Sequence, residues 1–149
     1  MTARALLLTT VVLGVTAELV AADKKVQMKD LPPAVQQAVQ QEESKGAKIV
    51  GLAKETEAGK TMHEVETTIG GHTRDLLFDS TGKLVETEEE TPIAAVPAAV
   101  KTAFESRGKV LKVETLTKGT AVTYEAQVVE KNGKKSEVVV DAAGKPAKP

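Results

Sequence analysis

The strongest constraint on this chain is an internal repetition. Leu31-Pro32-Pro33-Ala34-Val35-Gln36-Gln37-Ala38-Val39 aligns with Val96-Pro97-Ala98-Ala99-Val100-Lys101-Thr102-Ala103-Phe104 at an offset of 65. The offset then falls to 61, pairing Lys48-Ile49-Val50 with Lys109-Val110-Leu111 and His63-Glu64-Val65 with Tyr124-Glu125-Ala126. It becomes 62 where Asp75-Leu76-Leu77-Phe78-Asp79 meets Glu137-Val138-Val139-Val140-Asp141. Insertions fall where loops belong, so each copy reads as one supersecondary unit.

Each unit predicts a helix followed by three strands. Val35, Ala38 and Val39, like Val100, Ala103 and Phe104, fall at i, i+3, i+4 and give each helix one narrow apolar stripe. Proline in the first turn suits a helix start, where its missing N–H costs nothing. Glycine-bearing turns at Gly59, Gly70-Gly71 and Gly82, and at Gly119, Gly133 and Gly144, separate the strands. The expected fold class is α+β: two tandem modules, each a helix packed on a three- or four-stranded antiparallel sheet, at 23–91 and 92–149. Lys83-Leu84-Val85 reads as a short fourth strand of the first module, Glu86 to Glu90 as a solvated linker, and the Pro-rich tail from Lys145 as a frayed end.

A two-residue turn at Gly70-Gly71 sets the register. It places His63, Val65, Thr67, Arg74, Leu76 and Phe78 on one strand face, and Met62, Glu64, Glu66, Asp75, Leu77 and Asp79 on the other. In the second copy a three-residue or bulged turn around Asn132-Gly133 keeps Tyr124, Ala126 and Val128 with Val138 and Val140.

The N-terminus reads as a cleavable signal peptide over 1–22. Arg4 precedes an uncharged run of 11 residues at 5–15, too short to span a bilayer, which takes about 20. Val20, Ala21 and Ala22 offer cleavage before Asp23, with Val15 and Ala17 as an earlier alternative. The expected location is periplasmic or secreted, with no membrane insertion after cleavage. The chain has no cysteine, which removes disulfides, thiol nucleophiles and thiolate metal sites. A net charge of −1 argues against nucleic-acid binding. That charge is uneven: residues 31–91 hold 6 basic and 12 acidic side chains, residues 92–149 hold 10 and 6, so the halves could attract each other or self-associate.

The run LPPAVQQAV, KIV, HEVE and a hydrophobic strand closed by DSTGK resembles the PepSY-like family of exported proteins, grouped with the beta-lactamase-inhibitor-like fold. VPAAVKTAF, KVL, YEAQ and DAAGK resemble it again, and the two matches span about residues 31–145. The resemblance implies a helix on a small antiparallel sheet in each copy, and binding or inhibition of other exported proteins. It implies no catalytic residues. Tyr124 stands where the family often carries a strand tyrosine; the first copy has His63 there.

No phosphate loop, serine elbow or zinc-binding His-Glu-x-x-His helix is present. His63 and His72 lie roughly 20 Å apart along their strands at about 3.3 Å per residue, too far to share a metal. The expectation is therefore a non-catalytic module without cofactor or metal. Its candidate partner-binding residues lie on the strand face that a single helix leaves uncovered: Glu64, Glu66, Asp75 and Leu77, with Glu125, Gln127, Glu137 and Val139. Leu77 and Val139 would form apolar centres within a charged rim. The partner is an exported protein of unknown identity; an envelope structural or stress role, or small-ligand or cation binding, is the alternative.

Overall fold

The structure is a computed structural model describing residues 24–57 and 59–148. The expected signal peptide and its cleavage site before Asp23 lie outside the described residues. In chain order the elements are β1 (Lys24–Lys25), α1 (Pro33–Ser44), β2 (Lys48–Glu57), β3 (Lys60–Ile69), β4 (His72–Asp79), β5 (Leu84–Glu90), α2 (Ala98–Arg107), β6 (Gly108–Lys118), β7 (Ala121–Glu130) and β8 (Lys135–Val140).

Both helices begin directly after a proline, Pro32 or Pro97, and neither has a side-chain cap. The first ends in a Schellman arrangement: the Ala47 amide donates to the Glu42 carbonyl, the Gly46 amide donates to Glu43, and Gly46 has φ 96°. The second runs into β6 without a loop. Gly108 permits this, since a Cβ there would strike the backbone of Val129.

The expected pair of separate modules is overturned. Consecutive strands β1 to β8 form one 8-stranded sheet, antiparallel at every step. The joint is made by Thr87↔Thr117, Glu88↔Leu116, Glu89↔Thr115 and Glu90↔Glu114. Two small sheets side by side would each leave unpaired backbone donors and acceptors on an edge, and pairing β5 with β6 satisfies both edges. The run Glu86 to Glu90 is thus a strand inside the sheet, not a solvated linker. Glutamate is a poor strand former alone, so sheet context overrides propensity here.

Each helix covers its own part of one face. Leu31, Val35, Ala38 and Val39 pack with Val65, Leu76 and Phe78, while Val96, Val100 and Phe104 pack with Val113, Ala126, Val128 and Val140. Burying a valine or leucine side chain fully stabilises by about 1.5–3 kcal/mol, so these two clusters carry most of the fold. Between them the helix side of the seam carries Thr87, Glu89, Thr115 and Thr117, which belong to neither cluster. The tail corrects another expectation: the Asp141 amide donates to Lys145, the Ala147 amide to Val139, and Pro146 bridges Val140. Proline is tolerated there because an edge position requires no amide donor.

Candidate functional site

The strand pairing sorts the side chains as the two-residue Gly70-Gly71 turn requires: Ile69 faces His72, His63 faces Phe78 and Glu64 faces Leu77. In the second half Tyr124 pairs with Val140 and Ala126 with Val138, closed by a loop in which the Glu130 amide donates to Lys134. One face lies under the helices. The other, the open face, is floored by Ala53, Met62, Leu77 and Leu116, exposed by only 2%, 8%, 5% and 3%. Among the described residues no helix covers them. Ala53 stands opposite Glu64, Leu77 lies between Glu64 and Glu86, and Leu116 stands opposite Glu88, so longer side chains on flanking strands shield them.

All eight sequence-predicted residues lie on this face, in two patches. Glu66 pairs with Asp75 and Glu64 with Leu77; Gln127 pairs with Glu137 and Glu125 with Val139. Strands β5 and β6 separate the patches. Leu77 is buried, not an exposed apolar centre; Val139 is half-buried, and Gln127 and Glu137 are exposed. The residues between the patches are absent from the expected face: Glu86 and Glu88 on β5, expected in a solvated linker, and Lys112, Glu114, Leu116 and Lys118 on β6. The alternation in Glu86-Thr87-Glu88-Glu89-Glu90 and in Lys112 to Lys118 was the available signal.

Carboxylate faces carboxylate across this sheet. Glu66 is opposite Asp75, Asp75 opposite Glu88, Glu90 opposite Glu114, and Glu114 opposite Glu125. Directly opposed like charges destabilise a sheet unless cations offset them. Lys112 Nζ lies 2.6 Å from Glu114 Oε1, and Lys118 Nζ lies 2.9 Å from Glu86 Oε2 across the seam. Burial, then the charges of Glu114, Glu86, Glu125 and Glu64, pushes Glu88 up to about 8. Burial, then Glu137 and Glu114, pushes Glu125 up to about 7. Asp75 is raised by burial and by Glu114. Burial opposes the charge on Lys112, but its hydrogen bond and attraction to Glu114 raise it overall.

Among the described residues, Asp75, Glu88 and Glu114 bring their ligating oxygens within 4.8 Å of one another. Hard cations prefer oxygen donors of this kind, although calcium takes about 6–8 of them. His63 is buried under the helices, its Nε2 3.4 Å from Ser80 Oγ, while His72 is exposed at a turn, so neither joins the carboxylates. Among the described residues no helix is long and apolar enough to cross a membrane.

A consecutive antiparallel sheet, backed by helices on one face and lined with carboxylates on the other, defines an α+β scaffold whose open face is its most distinctive surface. Solved structures similar to this chain share the fold alone. A DUF2874 family protein from Bacteroides ovatus is 19% identical, with a TM-score of 0.59 over 79% of this chain and 85% of its own. A protein from Bacteroides eggerthii, provisionally described as periplasmic, is 20% identical, with a TM-score of 0.62 over 79% and 86%. A BLIP-like protein from Bacteroides fragilis is 19% identical, with a TM-score of 0.54 over 79% and 84%. The fold is therefore BLIP-like, in agreement with the beta-lactamase-inhibitor-like part of the resemblance; these neighbours do not support its PepSY-like part or the tandem copies. No family model matches the chain. No curated protein matches it.

Proposed function

We propose that this is an exported, non-catalytic binding module whose open sheet face docks onto another exported protein, with inhibition of that partner as one form of the activity. The observation that carries this reading is the face itself: a broad, uncovered strand surface with an apolar floor and an ordered array of carboxylates. A partner presenting lysine or arginine would neutralise pairs that the sheet holds in mutual opposition, and such complementarity governs specificity and association rate. The neighbour described as BLIP-like and the one provisionally described as periplasmic are consistent with a binding role outside the cytoplasm.

Capture from an envelope extract tests this. The double variant Glu66→Lys/Glu125→Lys places a cation opposite Asp75 and another opposite Glu114, so it should keep the fold while reversing the charge at two positions of the face. Its partner recovery is expected to fall at least about tenfold, the equivalent of about 1.4 kcal/mol. Lys101→Glu, on the exposed side of α2, serves as control and should capture normally. Undiminished capture by the double variant would rule out the open face.

A further inference from the structure

We infer that Val50 and Leu111, each set out of its strand by a β-bulge, are the two apolar anchors of the open face, and that the partner segment they fit carries lysine or arginine between two aliphatic side chains. This rests on the open-face reading above and names the partner chemistry which that reading leaves general.

Both strands that follow a helix carry the same irregularity. The pairing of β2 with β3 skips Val50, between Ile49↔Thr67 and Gly51↔Glu66, and the pairing of β6 with β7 skips Leu111, between Val110↔Val128 and Lys112↔Gln127. The two skipped residues are equivalent in the internal repetition, at its offset of 61. A bulge adds one residue to a strand and re-aims a side chain. Ile49, Leu52 and Val110 pack against the helix-side clusters, whereas Val50 and Leu111 join neither cluster and are 60% and 46% exposed. Each is followed by an open-face residue, Gly51 or Lys112. Lone exposed aliphatics are ordinary on protein surfaces. Here bulge and aliphatic occur together in both halves, although the residues that follow them differ.

Charge supplies the rest of the pattern. Beside the first anchor, Gly51 leaves room for the Glu66 carboxylate, which lies where a Cβ on residue 51 would stand. From there the ladder runs through Glu66, Asp75 and Glu88 on β3, β4 and β5, and Glu90 meets Glu114 on β6. The second anchor follows on β6 beyond Lys112, whose Nζ is held 2.6 Å from Glu114 Oε1. A row of carboxylates thus separates two aliphatic side chains. They stand roughly 20 Å apart across the sheet, four strand steps of about 4.8 Å, with a further offset along β6. An extended segment of about eight residues reaches from one to the other at about 3.3 Å per residue. Its cations would face the carboxylates, and its aliphatic ends would cover the anchors. The same row repels anionic lipid headgroups and phosphates, and the open face of a second copy would bring a second set of carboxylates against it.

Two synthetic octapeptides of equal charge, titrated into the nitrogen-15-labelled whole chain, test this. One has six lysines flanked by leucines, the other six lysines flanked by serines. The leucine peptide should bind at least about tenfold more tightly, with amide shifts at Val50, at Leu111 and across β3 to β6 between them. Val50→Ser/Leu111→Ser should erase that advantage while melting stays nearly unchanged, because both side chains are exposed in the fold. Val122→Ser, at an exposed valine on the helix side of β7, should keep it. Equal affinity for the two peptides, no saturable binding of either, or an advantage that survives in the double serine variant would overturn the anchors. In Glu66→Lys/Glu125→Lys both peptides should weaken together; unchanged affinity there would overturn the open-face reading and this inference with it.

Discussion

Arg74 on β4 donates from a guanidinium Nη to Glu42 Oε2 at 2.7 Å, and Glu42 also accepts from Lys45 Nζ at 2.6 Å, so the last turn of α1 is tied to the sheet by charge as well as by apolar packing. The second half ties its helix differently: Arg107 at the end of α2 approaches Glu130 on β7 at 3.9 Å, and Glu130 accepts from Ser136 Oγ at 2.9 Å. The cation sits on the sheet in one half and on the helix in the other.

The Arg74 pair is the more buried of the two, and losing one partner would leave a desolvated charge behind. Arg74→Met is expected to destabilise the fold by about 2 kcal/mol, whereas Arg107→Met, at an exposed pair, should cost about 0.5 kcal/mol or less. Urea unfolding of both variants checks the ordering.

Leu77 supplies the second prediction. Aspartate there would enter a position that is 5% exposed between Glu64 and Glu86, adding a carboxylate to a crowded acidic face. Leu77→Asp should therefore cost about 3 kcal/mol, while Val139→Asp, on half-buried β8, should cost about 1 kcal/mol. Thermal melting of the two single variants separates them, and equal losses would contradict the different burial of these positions.

A third prediction concerns acid. Burial and the nearby Lys54 hold His63 below its ordinary pKa of 6.5, so its contribution is complete above 6.5 and is lost as pH falls through the lower folded value. His63→Gln removes that group without removing polarity. The stability advantage of the wild type over His63→Gln should shrink as pH is lowered from 7 to 5, measured by denaturant titration at each pH. An advantage that is constant across that range would mean that His63 does not titrate on unfolding.

The helices and the β3–β4 hairpin were legible in the sequence because their signals are local. A proline start, an i, i+3, i+4 stripe and a Gly-Gly turn each act over a few residues, and period-2 alternation then assigns Val65, Leu76 and Phe78 to one face. Glu86 to Glu90 was not legible as a strand, because its pairing with Glu114 to Thr117 depends on residues far along the chain and its composition favours solvent. Missing that strand separated the halves and hid the carboxylates between them. The burial of Leu77 failed for a related reason: alternation tells which way a side chain points, but Glu86 on β5 helps to cover it only once β5 has joined the sheet.

Lys118 and Glu86 cross the seam, and their separation is 2.9 Å with Glu86 only 5% exposed. Lys118→Met would take a cation from a buried carboxylate that already lies beside Leu77 and near Glu88, and the expected cost is about 2 kcal/mol, concentrated at β5 and β6. Glu86→Gln should cost less, because a neutral amide in the same place needs no counter-charge. The informative variant is the double, Lys118→Met/Glu86→Gln. With both charges removed no unpaired carboxylate is left buried, so the double variant should be more stable than Lys118→Met alone by about 1 kcal/mol, and a double-mutant cycle in urea resolves a coupling of at least about that size. Strict additivity of the two single changes would show that the pair contributes nothing to holding the halves of the sheet together.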